Sequence, residues 1–581
     1  MPSFFRRKNI PDILLTVAAV VALIVILTRY GMPFRMDDVL YMQWADHHSL
    51  LDALSPNSGE IFLSFRPVIA IVFWLLTHIV GTEHYWVWHF VLVGSFFAAI
   101  AFTGLTARFI SEKKSALEIS AIWYWLAFLP ILNILFWFSD MTYALEMMFC
   151  AMAWYYGLRA IEEPKLSTWV IANLVGILAV LTKEPSVLLI HGVWIGAIFL
   201  RWKKFKRGIK KLTKNGRITW TTTYVIFILI SVNQFFLSNA ASTRFFHFTA
   251  VPHDEMMFFL KDRIRYYTET LCQFPFLLYM LAAVFGIITA NTAKLPKRRL
   301  VYCCIFLFVG IILWVVSKPV LILFFLVTFF LFPLQGSNRA TRMSFLSLFA
   351  LIAMINIGFL LITIMLVKTQ IAELTFLFSV IGGAGVSIIF YEINTFLVST
   401  PNKLLRIGIV SGTIGIAVII FFALLPKLRA KEQLLLDVRT SRIHANDAIK
   451  SMARLLPTDA IVAVTGPALY GMSSENEITS MDDTYKLYAQ HTFPQGFVRA
   501  YFQTLGRHDL HLAYLEDSTI LRQELDSSRS AGNEYLFLQT SMDVDRFHGL
   551  IDGAHQIAPT DSLVMRFQDG GFPCEIWKLG K

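Results

Sequence analysis

Two adjacent carboxylates, Asp37 and Asp38, stand just beyond the first apolar run of the chain, Ile13 to Leu27. Charge at the edge of a membrane span is energetically costly, so ionisable residues there are functional candidates. A carboxylate in this place can act as a general base that takes the proton from a hydroxyl group. Because neighbouring residues on a helix diverge by about 100°, one acid would face such a site while the other caps or hydrogen-bonds nearby. The alternative interpretation is a helix N-cap ahead of Val39.

Two basic residues that could bind an anion follow later in the chain. Arg66 stands directly before Pro67, and Lys183 is followed by Glu184 and Pro185. Arginine offers phosphate a planar two-point contact, and lysine offers a point charge. For Lys183 the alternative is an ion pair with Glu184 that only ends a helix.

Further polar candidates lie in other loops. Arg244 and Arg265 belong to the polar segment Asn239 to Gln273 and could join an anion site, although bases in such a loop more often face solvent or lipid headgroups. Asp140 could position a substrate or help the first loop to hold a divalent metal ion, and an interfacial helix cap explains it equally well. A divalent metal ion is the one cofactor that these residues could bind.

Histidine and cysteine spacing points to no particular metal ligands. His47 and His48 are adjacent and cannot both face one ion from a helix, while His508 and His511 share a helical face with no third ligand nearby. The five cysteines are too few and too scattered for a disulfide framework or a CxxC metal site. The ligands of any metal therefore stay unknown.

Composition places the chain in a membrane. Hydrophobic residues make up 56% of it and charged residues 16%, with a mean hydropathy of +0.59, which is typical of a polytopic membrane protein. The net charge of +11 hides two parts: 15 basic against 20 acidic residues from Arg429 onward (−5), and 36 against 20 before it (+16). A basic membrane part beside an acidic tail does not suggest nucleic acid as a partner; it predicts cytoplasmic anchoring loops.

Apolar segments predict about 13 transmembrane helices, of which the first is an uncleaved N-terminal span. A further apolar stretch, Val68–Val80, is predicted to lie at the interface within the long first loop. The predicted spans are Ile13–Tyr30, Val87–Phe109, Leu117–Phe138, Tyr143–Leu158, Trp169–Leu181, Val187–Leu200, Thr219–Leu237, Phe274–Ala290, Leu300–Val316, Val320–Leu334, Phe345–Val367, Leu374–Val398 and Leu404–Leu425.

Basic residues concentrate on alternate loops, most densely in Arg201 to Arg217. The positive-inside rule therefore predicts that this loop is cytoplasmic and that the tail lies outside the cytoplasm. The polar clusters at Asp37, Arg66, Asp140 and Lys183 then all fall on the outer face. Structural charges scattered at random should not choose one face, whereas a shared site at the membrane–water boundary would.

Several of these features together resemble the GT-C glycosyltransferases, multi-span enzymes with a polyprenyl-phosphate sugar as donor. The first feature is the acidic pair Asp37-Asp38. The second is the motif Ser64-Phe65-Arg66-Pro67-Val68 at the end of the first outer loop, followed by an apolar stretch and then Gly81-Thr82-Glu83. The third is the motif Leu181-Thr182-Lys183-Glu184-Pro185-Ser186 between two predicted spans. The forms are closest to the O-mannosyltransferase branch, including TMTC-type proteins, and the lipid A aminoarabinose transferase branch shares the layout. The motifs cover roughly the first 200 residues, and no TMTC-type tetratricopeptide repeat follows Leu425.

The resemblance implies inverting transfer of a hexosyl or pentosyl group from a polyprenyl-phosphate carrier to a protein, glycan or lipid acceptor. It assigns the general base to Asp37 or Asp38, of which the resemblance favours Asp37, and it suggests the inner membrane of a bacterium. The expected donor phosphate-binding residues are Arg66, Lys183, Arg244 and Arg265, and those that position acceptor or metal are Asp140 and Glu184. A transporter or flippase of lipid-linked sugars is the main alternative, although such proteins usually place ionisable residues near the bilayer midplane. A membrane-anchored assembly protein is the other.

The chain is expected to hold two domains. Residues 1–428 would form an all-α polytopic membrane domain, with the first outer loop over 31–86. Residues 429–581 would form a soluble α/β domain, because strands are predicted at Asp459–Gly466, Glu534–Gln539 and Glu575–Leu579.

Overall fold

A computed structural model describes residues 10–31, 37–55, 65–81, 84–121, 138, 141–241, 370–399, 461–465, 511–515, 535–539, 562–569 and 572–578, with scattered residues between 305 and 510. The described part is mostly helical. Its helices are α1 Ile10–Tyr30, α2 Asp37–His47, α3 Pro67–Leu75, α4 Tyr85–Ser111, α5 Met141–Glu162, α6 Leu166–Thr182, α7 Ser186–Leu200, α8 Trp202–Lys210, α9 Lys214–Ala241 and α10 Gln370–Ser399.

The apolar segments that fall in the described ranges are helices, as predicted. The segments Ile13–Tyr30, Val87–Phe109, Tyr143–Leu158, Trp169–Leu181, Val187–Leu200, Thr219–Leu237 and Leu374–Val398 lie within α1, α4, α5, α6, α7, α9 and α10. The stretch Val68–Val80 forms α3 and a following π-helical turn, Leu76–Val80. The other predicted spans lie wholly or partly outside the described residues, and the count of about 13 stays a prediction.

Within the described residues, one helix, Tyr85–Ser111, is long and apolar enough to cross a membrane. The pair α7 and α8 meets the same criteria if it is taken as one broken span, bent by 88°.

Four fully buried tryptophans hold the helices around them together: Trp88, Trp154, Trp169 and Trp194. A buried indole N–H needs an acceptor, and each of these finds a backbone carbonyl. The Trp154 indole reaches the Leu189 carbonyl at 2.9 Å and so joins α5 to α7. On α5, Gly157 leaves room for the Trp194 ring, since a Cβ there would overlap the indole.

The tail contains a five-stranded mixed sheet. Its strands are β1 Ile461–Thr465, β2 His511–Leu515, β3 Tyr535–Gln539, β4 Ser562–Asp569 and β5 Phe572–Lys578, in the spatial order β2-β1-β3-β5-β4. β1 pairs in parallel with β2 and β3, whereas β5 pairs antiparallel with β3 and β4. The three predicted strands are confirmed as β1, β3 and β5, and the domain organisation stays a prediction.

Candidate functional site

The acidic pair opens helix α2, with Asp37 as its first residue. Asp38 is fully buried and shares the buried side of α2 with Met42 and Ala45, one and two turns further on. A solvent-facing N-cap would not need such burial, so Asp38 is turned into the protein. The side chain of Asp37 lies outside the described residues.

Helix α2 brings Tyr41 to the Arg66 region. Tyr41 stands one turn after Asp38, and its ring meets that of Phe73 on α3 edge-on with centroids 5.0 Å apart. Its hydroxyl also acts electrostatically on Arg66, the residue before α3. Helix α2 therefore packs against α3 through Tyr41.

Arg66 forms a two-point ion pair with Glu184, 118 residues later in the chain. Pro67 starts α3 immediately after Arg66, and Glu184 lies in the break between α6 and α7. The distances are 3.1 Å from Nη2 to Oε1 and 3.4 Å from Nε to Oε2. The side chains are only 10% and 21% exposed. The contact uses Nε and Nη2, so Nη1 lies outside the pair.

Both members of this pair keep their charge. Burial would raise the pKa of Glu184, but the charge and hydrogen bonds of Arg66 outweigh burial and lower it to about 2. Burial would lower the pKa of Arg66, but the carboxylate of Glu184 holds that pKa above its ordinary value.

Lys183 pairs with Glu146, an acid that is not among the predicted site residues. Its Nζ lies 3.5 Å from Oε2 of Glu146 on α5, with the side chains 5% and 1% exposed. The ammonium also sits 3.7 Å from the ring centroid of Tyr143. The Ser186 hydroxyl donates to Glu146 Oε1 at 3.0 Å, and Cys150 Sγ donates to Ser186 at 3.3 Å.

Glu146 could have been found from the sequence. It is the single charged residue in the predicted span Tyr143–Leu158, and an acid inside an apolar span usually has a partner or a function. Conversely, the expected alternative of a Lys183–Glu184 pair is not the closest contact, because Lys183 pairs with Glu146 and Glu184 pairs with Arg66.

The two ion pairs form one group of four charges, which we call the charge cluster: Arg66, Glu184, Lys183 and Glu146. Lys183 and Glu184 are consecutive, and the charge of Lys183 also contributes to lowering the pKa of Glu184. The cluster has no net charge, which makes its burial tolerable. A phosphate that approached it would compete with Glu184 for Nε and Nη2 of Arg66 and with Glu146 for Nζ of Lys183, but not for Nη1 of Arg66.

A second missed contact fixes the entry to α3. The side-chain amide of Gln234 on α9 donates to the backbone carbonyl of Phe65. Phe65, the residue before Arg66, is therefore hydrogen-bonded to a residue of α9 that lies 169 positions later in the chain. Like Glu146, Gln234 is a polar residue inside an apolar segment, so its position in the sequence could have marked it as a candidate.

Three of the predicted site residues lie outside the described residues: Asp140, Arg244 and Arg265. Within the described ranges, no three His, Cys, Asp or Glu side chains are placed to hold a metal ion. Because Asp140 and the Asp37 side chain are not among them, the divalent metal stays a prediction, and so do the roles of all site residues.

No family model matches the chain, and no curated protein matches it. Among solved structures, ArnT from Cupriavidus metallidurans bound to undecaprenyl phosphate matches over 98% of both chains, with 13% identity and a TM-score of 0.48. Its apo state gives a TM-score of 0.44. The archaeal oligosaccharyltransferase AglB from Archaeoglobus fulgidus, in complex with an inhibitory peptide and a dolichol-phosphate, matches over 94% of this chain and 71% of its own, with 12% identity and a TM-score of 0.40.

The chain is similar in structure to these GT-C glycosyltransferases. With identities of 12–13% and TM-scores below 0.5, the matches assign no activity, substrate or site residue to it.

Proposed function

We propose that this chain is an integral membrane glycosyltransferase that moves one sugar from a polyprenyl-phosphate carrier to a protein, glycan or lipid acceptor outside the cytoplasm. The observation that carries the proposal is the fully buried acid Asp38 in the first turn of α2. A membrane-anchored assembly protein would need neither the buried acid nor the charge cluster.

The proposed reaction is a direct displacement with inversion at the anomeric carbon. One aspartate of the pair accepts the proton of the acceptor hydroxyl as its oxygen bonds to the anomeric carbon. The bond from that carbon to the phosphate oxygen breaks at the same time, and its electron pair leaves with the phosphate. Arg66 and Lys183 offset the charge that grows on the departing phosphate. Asp38 is the buried candidate for the base, and Asp37 is the other.

The charge cluster gives this reaction a resting state. Without donor, the carboxylates of Glu184 and Glu146 hold the two bases in place. When a donor phosphate binds, Arg66 can offer Nη1 without breaking its pair with Glu184. Such positioned donors cost little reorganisation during the reaction.

We further propose that residues 1–428 form the membrane domain and that residues 429–581 form a soluble α/β domain outside the cytoplasm. Undecaprenyl phosphate and dolichol phosphate, the lipids named with ArnT and AglB, define the class of carrier to assay first. The inner membrane of a bacterium is the location that fits this assignment.

Amide variants of the acid pair test the mechanism. Asparagine keeps the shape of aspartate but cannot take the proton, so Asp37→Asn or Asp38→Asn should lower transfer by about 10²–10⁴-fold. Purified variants would be assayed separately for binding and transfer of a polyprenyl-phosphate sugar, and donor binding should persist. Asp46→Asn, at an exposed position of the same helix, is the matched control.

The result that would exclude the proposed mechanism is full transfer activity in both single amide variants. If Asp38→Asn alone is inactive, the buried acid is the base. If Asp37→Asn alone is inactive, the role of Asp38 is to support α2.

The proposed orientation has its own test. In a cysteine-free background, Leu455→Cys should react with a membrane-impermeant maleimide in intact cells, because it is exposed in the tail. Asn215→Cys, in the basic loop, should react only after lysis. The reverse pattern would place the charge cluster on the cytoplasmic face and remove the proposed site from the outer surface.

A further inference from the structure

Helix α8 sorts its residues into two sides. Trp202, Lys203, Lys206, Arg207 and Lys210 are exposed, whereas Lys204, Phe205, Gly208 and Ile209 are half-buried. At about 100° per residue, the exposed residues occupy an arc of about 140°. We call this arc, which holds four bases and one tryptophan, the basic face.

The inner side of α8 is anchored at its start by a buried acid. Glu162, at the end of α5, receives hydrogen bonds from Arg201 and Lys204, including one of 3.1 Å from Arg201 Nη2. Burial would raise the pKa of Glu162, but these bonds hold it below its ordinary value. The acid stays charged and fixes the bend at which α8 leaves α7.

Two further contacts hold the rest of the helix. Gly208 lies so close to Pro164 that a Cβ would overlap the proline ring, and the Phe205 ring lies 6.0 Å from that of Trp220. These contacts use the inner side of α8 only. The basic face is therefore held outward at a fixed orientation.

The surface around the basic face is apolar on the α7 side. Phe199 and Ile195 of α7 are 73% and 58% exposed, and Trp202 at the edge of the basic face is 53% exposed. An apolar exposed flank that turns by 88° into a basic helix matches the change from hydrocarbon to headgroups at a membrane surface. Exposed tryptophan is typical of that boundary.

We propose that the basic face of α8 binds the phosphate headgroups of anionic phospholipids at the membrane surface. Residues 201–217 contain nine bases and no acid, so no charge within this segment repels an anionic surface. The apolar flank favours a lipid surface over a nucleic acid or an acidic protein. This surface is separate from the charge cluster, and lipid binding here does not depend on the proposed transfer reaction.

The test is a lipid titration of the purified full-length chain by native mass spectrometry. Phosphatidylglycerol should bind more tightly than phosphatidylcholine. Each base near an anionic surface contributes about fivefold in affinity, so Lys206→Gln combined with Lys210→Gln should weaken phosphatidylglycerol binding roughly thirtyfold. Phosphatidylcholine binding should stay unchanged in the same variant.

The matched control removes two charges elsewhere, with Lys114→Gln combined with Arg454→Gln, both at exposed positions. This control should bind phosphatidylglycerol like the wild type. Equal losses in the two double variants would mean that only total charge matters and would overturn the proposal. So would a 20-nucleotide single-stranded DNA that binds the wild type as tightly as the lipid.

Discussion

Replacing Arg66 by methionine should leave the buried carboxylate of Glu184 without its ion-pair partner. In the structure, Arg66 and its hydrogen bonds hold the pKa of Glu184 at about 2, against an ordinary value of 4.5. That difference corresponds to about 3 kcal/mol in favour of the charged acid. Loss of one member of a buried ion pair typically costs about 3–5 kcal/mol, so the free energy of unfolding at pH 7 should fall by about 3 kcal/mol in Arg66→Met.

The double variant Arg66→Met with Glu184→Met separates the ion pair from other effects of the arginine. Two apolar side chains leave no uncompensated charge, and such replacements are often close to neutral. Its stability should therefore return most of the way to the wild-type value. The measurement is the free energy of unfolding by denaturant titration in detergent for the wild type, both single variants and the double variant. A coupling below about 0.5 kcal/mol, as expected of independent sites, would refute the pairing.

Acid should reproduce the loss in the wild type. Glu184 has a folded-state pKa below its unfolded value, so its stabilisation is fully present above about pH 4.5 and is lost as the pH falls towards 2. The melting temperature should drop across this window in the wild type. The double variant should lack this component of the drop, and an identical pH profile for both proteins would contradict the assignment.

The same double variant separates stability from function. If Arg66 stabilises the departing phosphate, the double variant should fold yet lose about tenfold or more in transfer, since a charge-assisted hydrogen bond contributes roughly 1.5–3 kcal/mol. Wild-type transfer in this folded variant would mean that the Arg66–Glu184 pair is structural only.

Two further predictions concern the helix packing. Glu162→Gln should lower the free energy of unfolding by about 3–5 kcal/mol, because it leaves Arg201, which is buried, and Lys204, which is half-buried, without their acid. The control Glu163→Gln changes an exposed neighbour and should alter the free energy of unfolding by no more than about 0.5 kcal/mol. Equal effects of the two variants would contradict the role of Glu162 as the anchor of α8. Gly157→Ala should cost about 1–3 kcal/mol, since its Cβ would overlap Trp194. Gly94→Ala, which meets nothing within 4 Å, should be neutral or slightly stabilising, and a thermal melt that does not distinguish the two alanine variants would count against the close packing.

Local signals in the sequence predicted the long apolar helices of the described residues, but not α2 and α8, which lie in segments predicted as loops. Proline at the first position of α3 marks a helix start because it lacks an N–H that would be unsatisfied there anyway. Pro185 separates α6 from α7 for a related reason, since the residue before a proline avoids the helical conformation. Apolar runs of helical length can be recognised in the sequence without knowledge of what they pack against. The same holds for the short β-branched and aromatic runs that form β1 and β3.

The partners of the charged residues were decided by the tertiary structure alone. Arg66 meets Glu184 across 118 residues, and Lys183 meets Glu146 rather than its neighbour. An ion pair between helices depends on how the helices are rotated and offset, and no periodicity within either segment records that. The sequence could show that Glu146 is an expensive residue in an apolar span; only the packing of α5 against α6 and α7 shows which charge offsets it.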